Sequence, residues 1–219
     1  MKILVLGDSL TFSHYVKIEN TWPYLLQASG HVVTHRGRGG TTIDKILNEL
    51  TEIGDWSKEN QENNNYPFDI CIIQVGIVDV TPRPFSRNIT YLLKQIPIIK
   101  SLPLKLNKSK FFLKIFGKPW VSEDNFSKKL NLLEKRIKNF AKKTIYIEIA
   151  RPAHNLVVNC GDFSNRVKKY NQILEKKSYQ SEFLKVYDDK PSDEFLLEDG
   201  YHLNQNGHKL VYQNILKII

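Results

Sequence analysis

An aspartate stands three residues before a histidine near the end of the chain, in the run Asp199-Gly200-Tyr201-His202. At that spacing the Asp199 carboxylate can fold back and accept a hydrogen bond from Nδ1–H of the imidazole. Such a bond fixes the tautomer and leaves Nε2 free to take a proton from a serine hydroxyl. His202 alone would be typical of a helix start or a protein surface. The upstream carboxylate favours a catalytic pair instead.

A serine that could supply this hydroxyl follows the first apolar run of the chain. Residues 3–6 are all apolar, which predicts a buried parallel strand, and Gly7 lets the chain turn sharply after it. Asp8 and Ser9 would then lie just beyond the carboxyl end of a central strand, where open α/β sheets bind their ligands. The alternative is that both residues only form a turn.

Apolar runs alternate with helical periodicities along the rest of the chain. Four more strands are predicted, at 32–34, 69–76, 144–149 and 183–187. Helices are predicted at 21–26, 43–50, 89–99, 122–142 and 165–177, and from 204 onward. This alternation predicts an α/β protein, a three-layer α/β/α sandwich around a mainly parallel five-stranded sheet. Since no repeat or linker divides the chain, we expect a single domain over 1–219.

The segment at about 101–121 breaks this alternation, and we expect an irregular basic and aromatic insertion there. Its lysines interleave with aromatic residues, in the set Lys105, Lys108, Lys110, Phe111, Phe112, Lys114, Phe116, Lys118 and Trp120. The interpretation we favour is that the aromatic side chains fold back onto the core while the lysines face water. The alternative is a lid, or a patch that contacts lipid or an acidic polymer.

Composition limits the classes of protein to which the chain can belong. It has 219 residues, 41% of them hydrophobic, which is enough for one sizeable core. No apolar run could span a bilayer, and the first run makes a better strand than a signal peptide, so we expect a cytoplasmic protein. Cys71 and Cys160 give no disulfide framework or metal-binding spacing, so we expect free thiols. The net charge of +9 is interpreted as a lysine-rich surface, because no nucleic-acid-binding motif accompanies it and nucleic acid is not expected as a partner.

The run Gly7-Asp8-Ser9-Leu10, taken with Asp199-x-x-His202, resembles the GDSL or SGNH hydrolases, a family of α/β esterases and lipases. The resemblance runs through four blocks in order over nearly the whole chain. It implies the flavodoxin-like fold of that family. It also implies that Ser9 is the nucleophile, that His202 is first the general base and then the acid, and that Asp199 orients the imidazole. The backbone N–H of Ser9 would be one donor to the oxyanion.

The second block of the family pattern is a glycine in the loop after the second strand, whose N–H is another oxyanion donor. The run Gly37-Arg38-Gly39-Gly40 matches it, with Gly40 as the best aligned position and Gly39 as the other candidate. A glycine suits this place because the backbone must come close to a substrate oxygen.

The third block is where the sequence departs from the family. The family pattern Gly-x-Asn-Asp reads Gly76-Ile77-Val78-Asp79 here, and Val78 has no donor group. Losing one oxyanion donor typically costs about 3 kcal/mol, or roughly a hundredfold or more in rate. The enzyme would then be slow, use another donor, or no longer hydrolyse esters.

Two arginines on loops at the carboxyl edge of the sheet are further candidates. Arg83 follows the third block, and Arg151 follows the fourth strand. A guanidinium there could stabilise an oxyanion or bind a carboxylate or phosphate of the substrate, or it could form a structural salt bridge with Asp79. We interpret Asp8 and Asp79 as acceptors for loop amides. Together with Gly39 and Val78, these four residues are the ones we consider for substrate binding.

The function we expect is hydrolysis of an ester, or transfer of its acyl group. By family analogy the substrate is a small molecule or carbohydrate with an O-acyl group such as acetate, and the basic character would suit an anionic one. The sequence has no metal-ligand cluster, and this chemistry needs no cofactor. A non-catalytic binding protein of the same fold, for instance in polysaccharide assembly, is the alternative that Val78 favours. Contact with a membrane surface through 105–120 is a third hypothesis.

Overall fold

The structure, a computed structural model, describes residues 1–12, 16–58, 66–107, 109–154, 162–177, 181–187 and 192–219. Cys160, for which we expect a free thiol, lies outside these residues. Cys71 is a buried free thiol.

Five strands form one sheet, and every neighbouring pair is parallel. They are β1 (Lys2–Gly7), β2 (Val32–Gly37), β3 (Phe68–Gln74), β4 (Ala141–Ile147) and β5 (Glu182–Leu184). Their order in the sheet is β2-β1-β3-β4-β5, which is the order of flavodoxin-like folds. The predicted parallel five-stranded sheet is therefore confirmed.

Helices form most of the connections between the strands. They are α1 (Trp22–Ala28), α2 (Ile43–Lys58), α3 (Ile77–Val80), α4 (Arg87–Gln95), α5 (Leu102–Asn107), α6 (Lys110–Phe116), α7 (Glu123–Ile137), α8 (Phe163–Lys177) and α9 (Gln205–Leu216). Two short 3₁₀ turns, Ile18–Asn20 and Ser192–Phe195, complete the regular structure of the described residues. Helix α1 packs with α9, whereas α7 packs with both α2 and α8, as the predicted three-layer sandwich requires.

The central strands are apolar along their whole length because helices cover both faces. Residues 3–6 of β1 are fully buried, as are Cys71 and Ile72 of β3 and the stretch 145–147 of β4. Because every position of the run 3–6 is buried, all four residues are apolar, and this short strand can be predicted from the sequence.

Many predicted boundaries differ from those of the structure, and three of the differences have a local explanation. Strand β2 runs on to Gly37 because its pairing with β1 continues to the end of that strand. The helix predicted at 122–142 ends at Ile137, and Ala141 already belongs to β4, where it pairs with Phe68. Helix α4 ends at Gln95, not at 99, because a proline at 97 keeps the residue before it extended.

The segment 101–121 is not irregular, because it contains α5 and α6. Leucine and lysine are good helix formers, and α5 forms although Leu102, Leu104 and Leu106 alternate with other residues as they would in a strand. The side chains of Phe111 and Phe116 are exposed, so the prediction that they fold back onto the core is wrong for these two residues. Trp120 and Leu113 do pack against the core. Within the described residues, no helix combines the length and the apolar character that crossing a membrane would need.

One edge of the sheet collects the loops that follow β1, β2 and β3. Gly7 pairs with Gly37 on one side and with Gln74 on the other, so these three strands end at the same level. The chain leaves this edge through Asp8, Arg38 and Val75.

Candidate active site

Ser9 lies in a tight turn directly after β1. The turn is closed by the Thr11 N–H, which donates to Asp8 O over 3.2 Å, and by the Leu10 N–H, which donates to Asp8 Oδ1 over 2.9 Å. The Asp8 N–H in turn donates to the Gln74 carbonyl at the end of β3, over 3.2 Å. Ser9 is only 6% exposed and is held on a rigid backbone at the carboxyl edge of the sheet.

The residue before this turn has to be a glycine for reasons of space. A Cβ on Gly7 would lie 2.1 Å from Thr11 Cγ2 and 2.9 Å from the Gln74 carbonyl oxygen. Any side chain at Gly7 would therefore push the serine turn away from β3.

His202 and Asp199 form the pair that the sequence predicts. Asp199 Oδ2 lies 2.6 Å from Nδ1 of the imidazole. The other carboxylate oxygen, Oδ1, accepts the backbone N–H of His202 over 3.0 Å and that of Tyr201 over 3.2 Å. With Nδ1–H donating to the carboxylate, Nε2 is the ring nitrogen that can accept a proton.

The surroundings of this pair keep the carboxylate ionised. Burial alone would raise the pKa of Asp199, but hydrogen bonds from the ring and backbone of His202 bring it below its usual value. His202 is 7% exposed, and the Tyr201 ring packs on it at 4.4 Å between centroids.

The loop that carries the pair is fixed by its backbone. Gly200 has φ +80°, a conformation that suits glycine, and its carbonyl accepts the Ala153 N–H over 2.8 Å. The Leu197 N–H donates to the His202 carbonyl over 2.8 Å, and an isolated bridge joins Leu196 to Leu203. Few conformations remain open to the histidine backbone.

The helix that follows the histidine loop meets α1 near the end of β3. The Trp22 N–H donates to Nδ1 of His208 in α9 over 3.4 Å, and the Trp22 Nε1–H donates to Gln74 Oε1 over 2.9 Å. Burial raises the pKa of Asp8, beside Ser9, to about 7, while the Leu10 N–H and the electrostatic interaction with His202 oppose this rise.

The loop after β2 places Gly40 in a tight turn. The Thr41 N–H donates to the Arg38 carbonyl over 3.3 Å, and Gly40 has φ +73° at the third position, as a type II turn requires. Gly40 and Gly39 are both exposed, and a Cβ on either one would meet no atom within 4 Å. Open space around these backbone groups leaves room for a ligand.

The loop after β3 turns at once into α3. Gly76 has φ +122°, and a Cβ there would lie 2.5 Å from Ile149 Cδ1. Val78 follows in α3 and is 4% exposed, packed in the hydrophobic core. The position that carries asparagine in the family pattern is thus filled by a buried apolar side chain.

Asp79 connects α3 to α2. Its Oδ1 accepts the N–H of Ile43, the first residue of α2, over 3.1 Å. Burial raises its pKa to about 8; the Ile43 N–H opposes this shift, and the carboxylate of Asp8 adds to it. Asp8 and Asp79 therefore bind loop and helix amides, as we expect, and neither side chain is exposed.

Arg83 has an unusual environment for a cation. Its guanidinium carbon lies 4.3 Å from the centroid of the Trp120 ring, a cation–π contact. Its Nε is buried without a hydrogen-bond partner, and within the described residues no carboxylate forms an ion pair with it. Burial lowers its pKa, and Tyr201 is the group that opposes this shift. Asp79, the salt-bridge partner we considered, is not its partner.

Arg151 lies elsewhere on the same sheet edge. It is exposed, and it lines a cavity with Glu148 and Asn171 beside β4 and α8. None of the three residues proposed as catalytic lines that cavity. A second cavity, lined by Lys2, Val32 and Phe68, lies at the opposite, amino end of the strands.

Sequence reasoning missed the aromatic residues that surround the site. Tyr201 is not among the predicted site residues. Its position directly before His202 is the signal in the sequence that could have identified it. No sequence signal relates Trp120 to Arg83. Trp22 lies in the helix predicted at 21–26, and the sequence gives no further role for it. Its Nε1–H donates to Gln74 Oε1 over 2.9 Å, which connects α1 to the end of β3.

No protein-family model and no curated protein sequence matches this chain. Solved structures do match over its full length. A member of the lipolytic protein G-D-S-L family from Veillonella parvula has a TM-score of 0.62 at 13% identity and covers 100% of this chain and 97% of its own. A lipase/acylhydrolase from Enterococcus faecalis has a TM-score of 0.62 at 18% identity, covering 99% and 93%. A catalytic mutant of an acetylxylan esterase from Geobacillus stearothermophilus has a TM-score of 0.60 at 16% identity, covering 99% and 92%.

Proposed function

We propose that this chain, which has the fold of GDSL lipolytic proteins, is a serine-dependent ester hydrolase with Ser9, His202 and Asp199 as its catalytic residues. The observation that carries the proposal is the Asp199–His202 pair at 2.6 Å, in a loop whose Gly200 carbonyl accepts the N–H of Ala153, a residue beyond the end of β4. A buried imidazole with its Nδ1 held by a carboxylate is what a general base for serine requires.

The reaction proceeds through an acyl-enzyme. Ser9 Oγ attacks the acyl carbonyl carbon while its proton passes to Nε2 of His202. The tetrahedral intermediate collapses, the bond to the leaving alkoxide breaks, and His202 returns the proton to that oxygen. Water, or an acceptor hydroxyl, then attacks the acyl-enzyme with the same histidine as base, and the acyl product leaves Ser9 as it was. Asp199 stabilises the imidazolium in both halves.

The negative charge of the tetrahedral intermediate needs donors. The backbone N–H groups of Ser9 and Gly40 are the two that we assign to the oxyanion. Val78 supplies none, so this enzyme stabilises the oxyanion with one donor fewer than the family pattern provides. We therefore expect a slow hydrolase.

Arg83 is the residue we assign to substrate recognition. Burial lowers the pKa of Arg83, and the residue that opposes this shift is Tyr201, whose ring packs on His202. A guanidinium without a carboxylate partner suits a carboxylate or phosphate on the substrate, next to the ester. One of the structural matches is an acetylxylan esterase. A small O-acyl group on an acidic carbohydrate is accordingly the substrate class that we propose.

Covalent labelling tests the nucleophile. A fluorophosphonate probe should label the chain, and Ser9→Ala should abolish the labelling together with hydrolysis of p-nitrophenyl acetate. Ser101→Ala, at an exposed position in the turn before α5, is the matched control and should be labelled like the parent protein. Absence of both labelling and hydrolysis in the parent protein would contradict the proposal.

Val78 favours one second candidate, a non-catalytic binding protein that keeps the fold and has lost the reaction. In that case the parent protein would bind an acylated carbohydrate without cleaving it, and Ser9→Ala would bind it equally well. Isothermal titration of acetylated oligosaccharides against both proteins separates the two functions.

A further inference from the structure

The net positive charge of this protein comes from one segment. The chain has 32 basic and 23 acidic residues, and nine of the basic ones lie between Arg83 and Lys118. No aspartate or glutamate lies in that segment, so the rest of the chain carries 23 residues of each sign. Lysines are thus spread over the whole sequence, but the excess of positive over negative charge comes from this segment. We call residues 83–118 the arm.

The arm is joined to the body of the protein by a narrow base. Arg83 N–H donates to the Lys118 carbonyl over 3.0 Å, and Lys118 N–H donates back to the Arg83 carbonyl over 3.0 Å. Two more bonds brace this base: Trp120 Nε1–H donates to the Phe85 carbonyl over 3.0 Å, and Arg166 Nη1–H to the Gly117 carbonyl over 3.1 Å. Beyond the base, the main packing of α4, α5 and α6 is with one another.

The arm exposes large apolar side chains. No residue of α4 is buried. Ile98, in the turn after that helix, is 92% exposed, and Phe111 at the start of α6 is 67% exposed. The other exposed large apolar residues of the arm are Ile89, Tyr91, Leu92, Ile96, Ile115 and Phe116. Exposed apolar residues in such a group mark an interaction surface.

Exposed cations lie among these apolar residues. Five lysines of the arm are exposed and, within the described part of the chain, make no ion pair: Lys94, Lys100, Lys105, Lys114 and Lys118. On α6, Lys114 lies between Phe111 and Ile115 in sequence, so charge and apolar surface share one short helix. Helices that combine lysines with exposed aromatic and aliphatic residues bind at the interface of a bilayer.

We propose that the arm binds the surface of an anionic lipid membrane, with its apolar side chains in the interface and its lysines against the lipid headgroups. A polyanion such as nucleic acid would use the lysines and leave the aliphatic side chains in water. A second copy of the chain would bring two arms of like charge together. An anionic bilayer can bind both lysines and apolar side chains. It does not require a groove, so the exposed apolar residues can be distributed over α4, α6 and the turn after α4.

Vesicle sedimentation tests this proposal without reference to any activity. The parent protein should sediment with phosphatidylglycerol-containing vesicles at roughly 0.15 M salt and remain in the supernatant with pure phosphatidylcholine. Lys94→Glu/Lys114→Glu should weaken the binding about tenfold or more, since each lysine near an anionic surface adds to the attraction. Ile98→Ser/Phe111→Ser should also weaken it severalfold, although it leaves the charge unchanged.

Matched controls change the same residue types outside the arm. Lys135→Glu/Lys209→Glu removes two exposed lysines from α7 and α9, and Val32→Ser/Leu132→Ser removes two exposed apolar residues from the body. Both should bind vesicles to within about twofold of the parent protein, since neither touches the surface proposed for the lipid. Circular dichroism establishes that all four variants are folded.

Three results would overturn the proposal. The first is no sedimentation of the parent protein with anionic vesicles. The second is binding that the arm variants and the controls weaken equally. The third is a different occupant: binding to heparin or RNA without binding to vesicles, or a dimer in analytical ultracentrifugation that Ile98→Ser/Phe111→Ser dissociates.

Discussion

The Asp199 carboxylate contacts His202 twice, once at the ring and once at the backbone. Oδ2 lies 2.6 Å from the imidazole Nδ1, and Oδ1 accepts the backbone N–H of the same residue over 3.0 Å. The second bond holds the carboxylate in place even when the ring moves. Asp199 is thus both part of the loop structure and the residue that sets the tautomer of the proposed base.

Asp199→Asn should separate these two roles. The amide oxygen can still accept the backbone N–H, so we expect the fold to be kept. The amide cannot stabilise an imidazolium, and it can favour the wrong tautomer, so kcat for an acetate ester should fall about a thousandfold or more. Thermal denaturation and steady-state kinetics measure the two effects. A variant with unchanged kcat would remove Asp199 from the mechanism.

The Asp199–His202 pair could be predicted because it depends on three residues of local sequence. The same holds for the strand at 3–6, where a fully buried position leaves only apolar residues. The contact of Arg83 with Trp120 could not be predicted, since 36 residues and three helices lie between them. Within the arm, α4 is predicted at 89–99, but α5 and α6 are not. Both are short, and no described residue of α6 is buried, so no buried face imposes an apolar periodicity on that helix.

Val78→Asn tests the missing oxyanion donor. If the amide reaches the site as the family pattern implies, kcat for ester hydrolysis should rise by about tenfold to a hundredfold. The variant should also be less stable by about 1–3 kcal/mol, because a polar group enters a position that is 4% exposed. Val78→Thr is the control, since it adds a polar atom without an N–H that could reach a substrate. If both variants have the rate of the parent protein, a missing donor does not limit catalysis.

Arg83 should determine which esters are substrates. Arg83→Gln should raise KM about tenfold to a hundredfold for an ester that carries a carboxylate, because it removes a charge-assisted hydrogen bond. It should leave the kinetics of the neutral p-nitrophenyl acetate unchanged. Arg83→Lys should raise this KM less than Arg83→Gln does, because the lysine ammonium keeps the positive charge but lacks the planar guanidinium that can form two parallel hydrogen bonds. If Arg83→Gln lowered kcat/KM equally for charged and neutral esters, the role of Arg83 would be to support the fold.

Gly76, in the turn after β3, should be sensitive to substitution. An added Cβ would lie 2.5 Å from Ile149 Cδ1, at a φ of +122° that L side chains rarely adopt. We expect Gly76→Ala to lower the free energy of unfolding by about 2–4 kcal/mol. Gly39→Ala is the matched control, because its Cβ would meet no atom within 4 Å and it needs no positive φ, and it should change stability by less than about 1 kcal/mol. Urea denaturation of both variants checks the contrast, and equal losses would contradict this account of the turn after β3.

The buried carboxyl of Asp79 should make stability depend on pH in a particular direction. Burial raises its pKa from 3.8 to about 8, so between these values the folded state binds more protons than the unfolded state does. The free energy of unfolding must then decrease as pH rises through this window, by up to about 1.4 kcal/mol per pH unit for such a group. Asp79→Asn removes this titration and keeps an oxygen that can accept the Ile43 N–H. We therefore expect the variant to lose less stability than the parent protein between pH 5 and pH 7 (roughly one pH unit inside each limit).

Asp69→Asn is the control for this pH dependence. Asp69 is held by a hydrogen bond from the Lys142 ammonium, which lowers its pKa, so it titrates below the window in which Asp79 does. Its contribution to stability is present above its ordinary pKa and is lost only as pH falls through the lowered value. Replacing it should leave the slope of stability against pH across the neutral range unchanged. Urea denaturation of the three proteins at four pH values tests this account. If Asp79→Asn keeps the slope of the parent protein, the Asp79 carboxyl is ionised in the folded state at neutral pH, and burial does not raise its pKa.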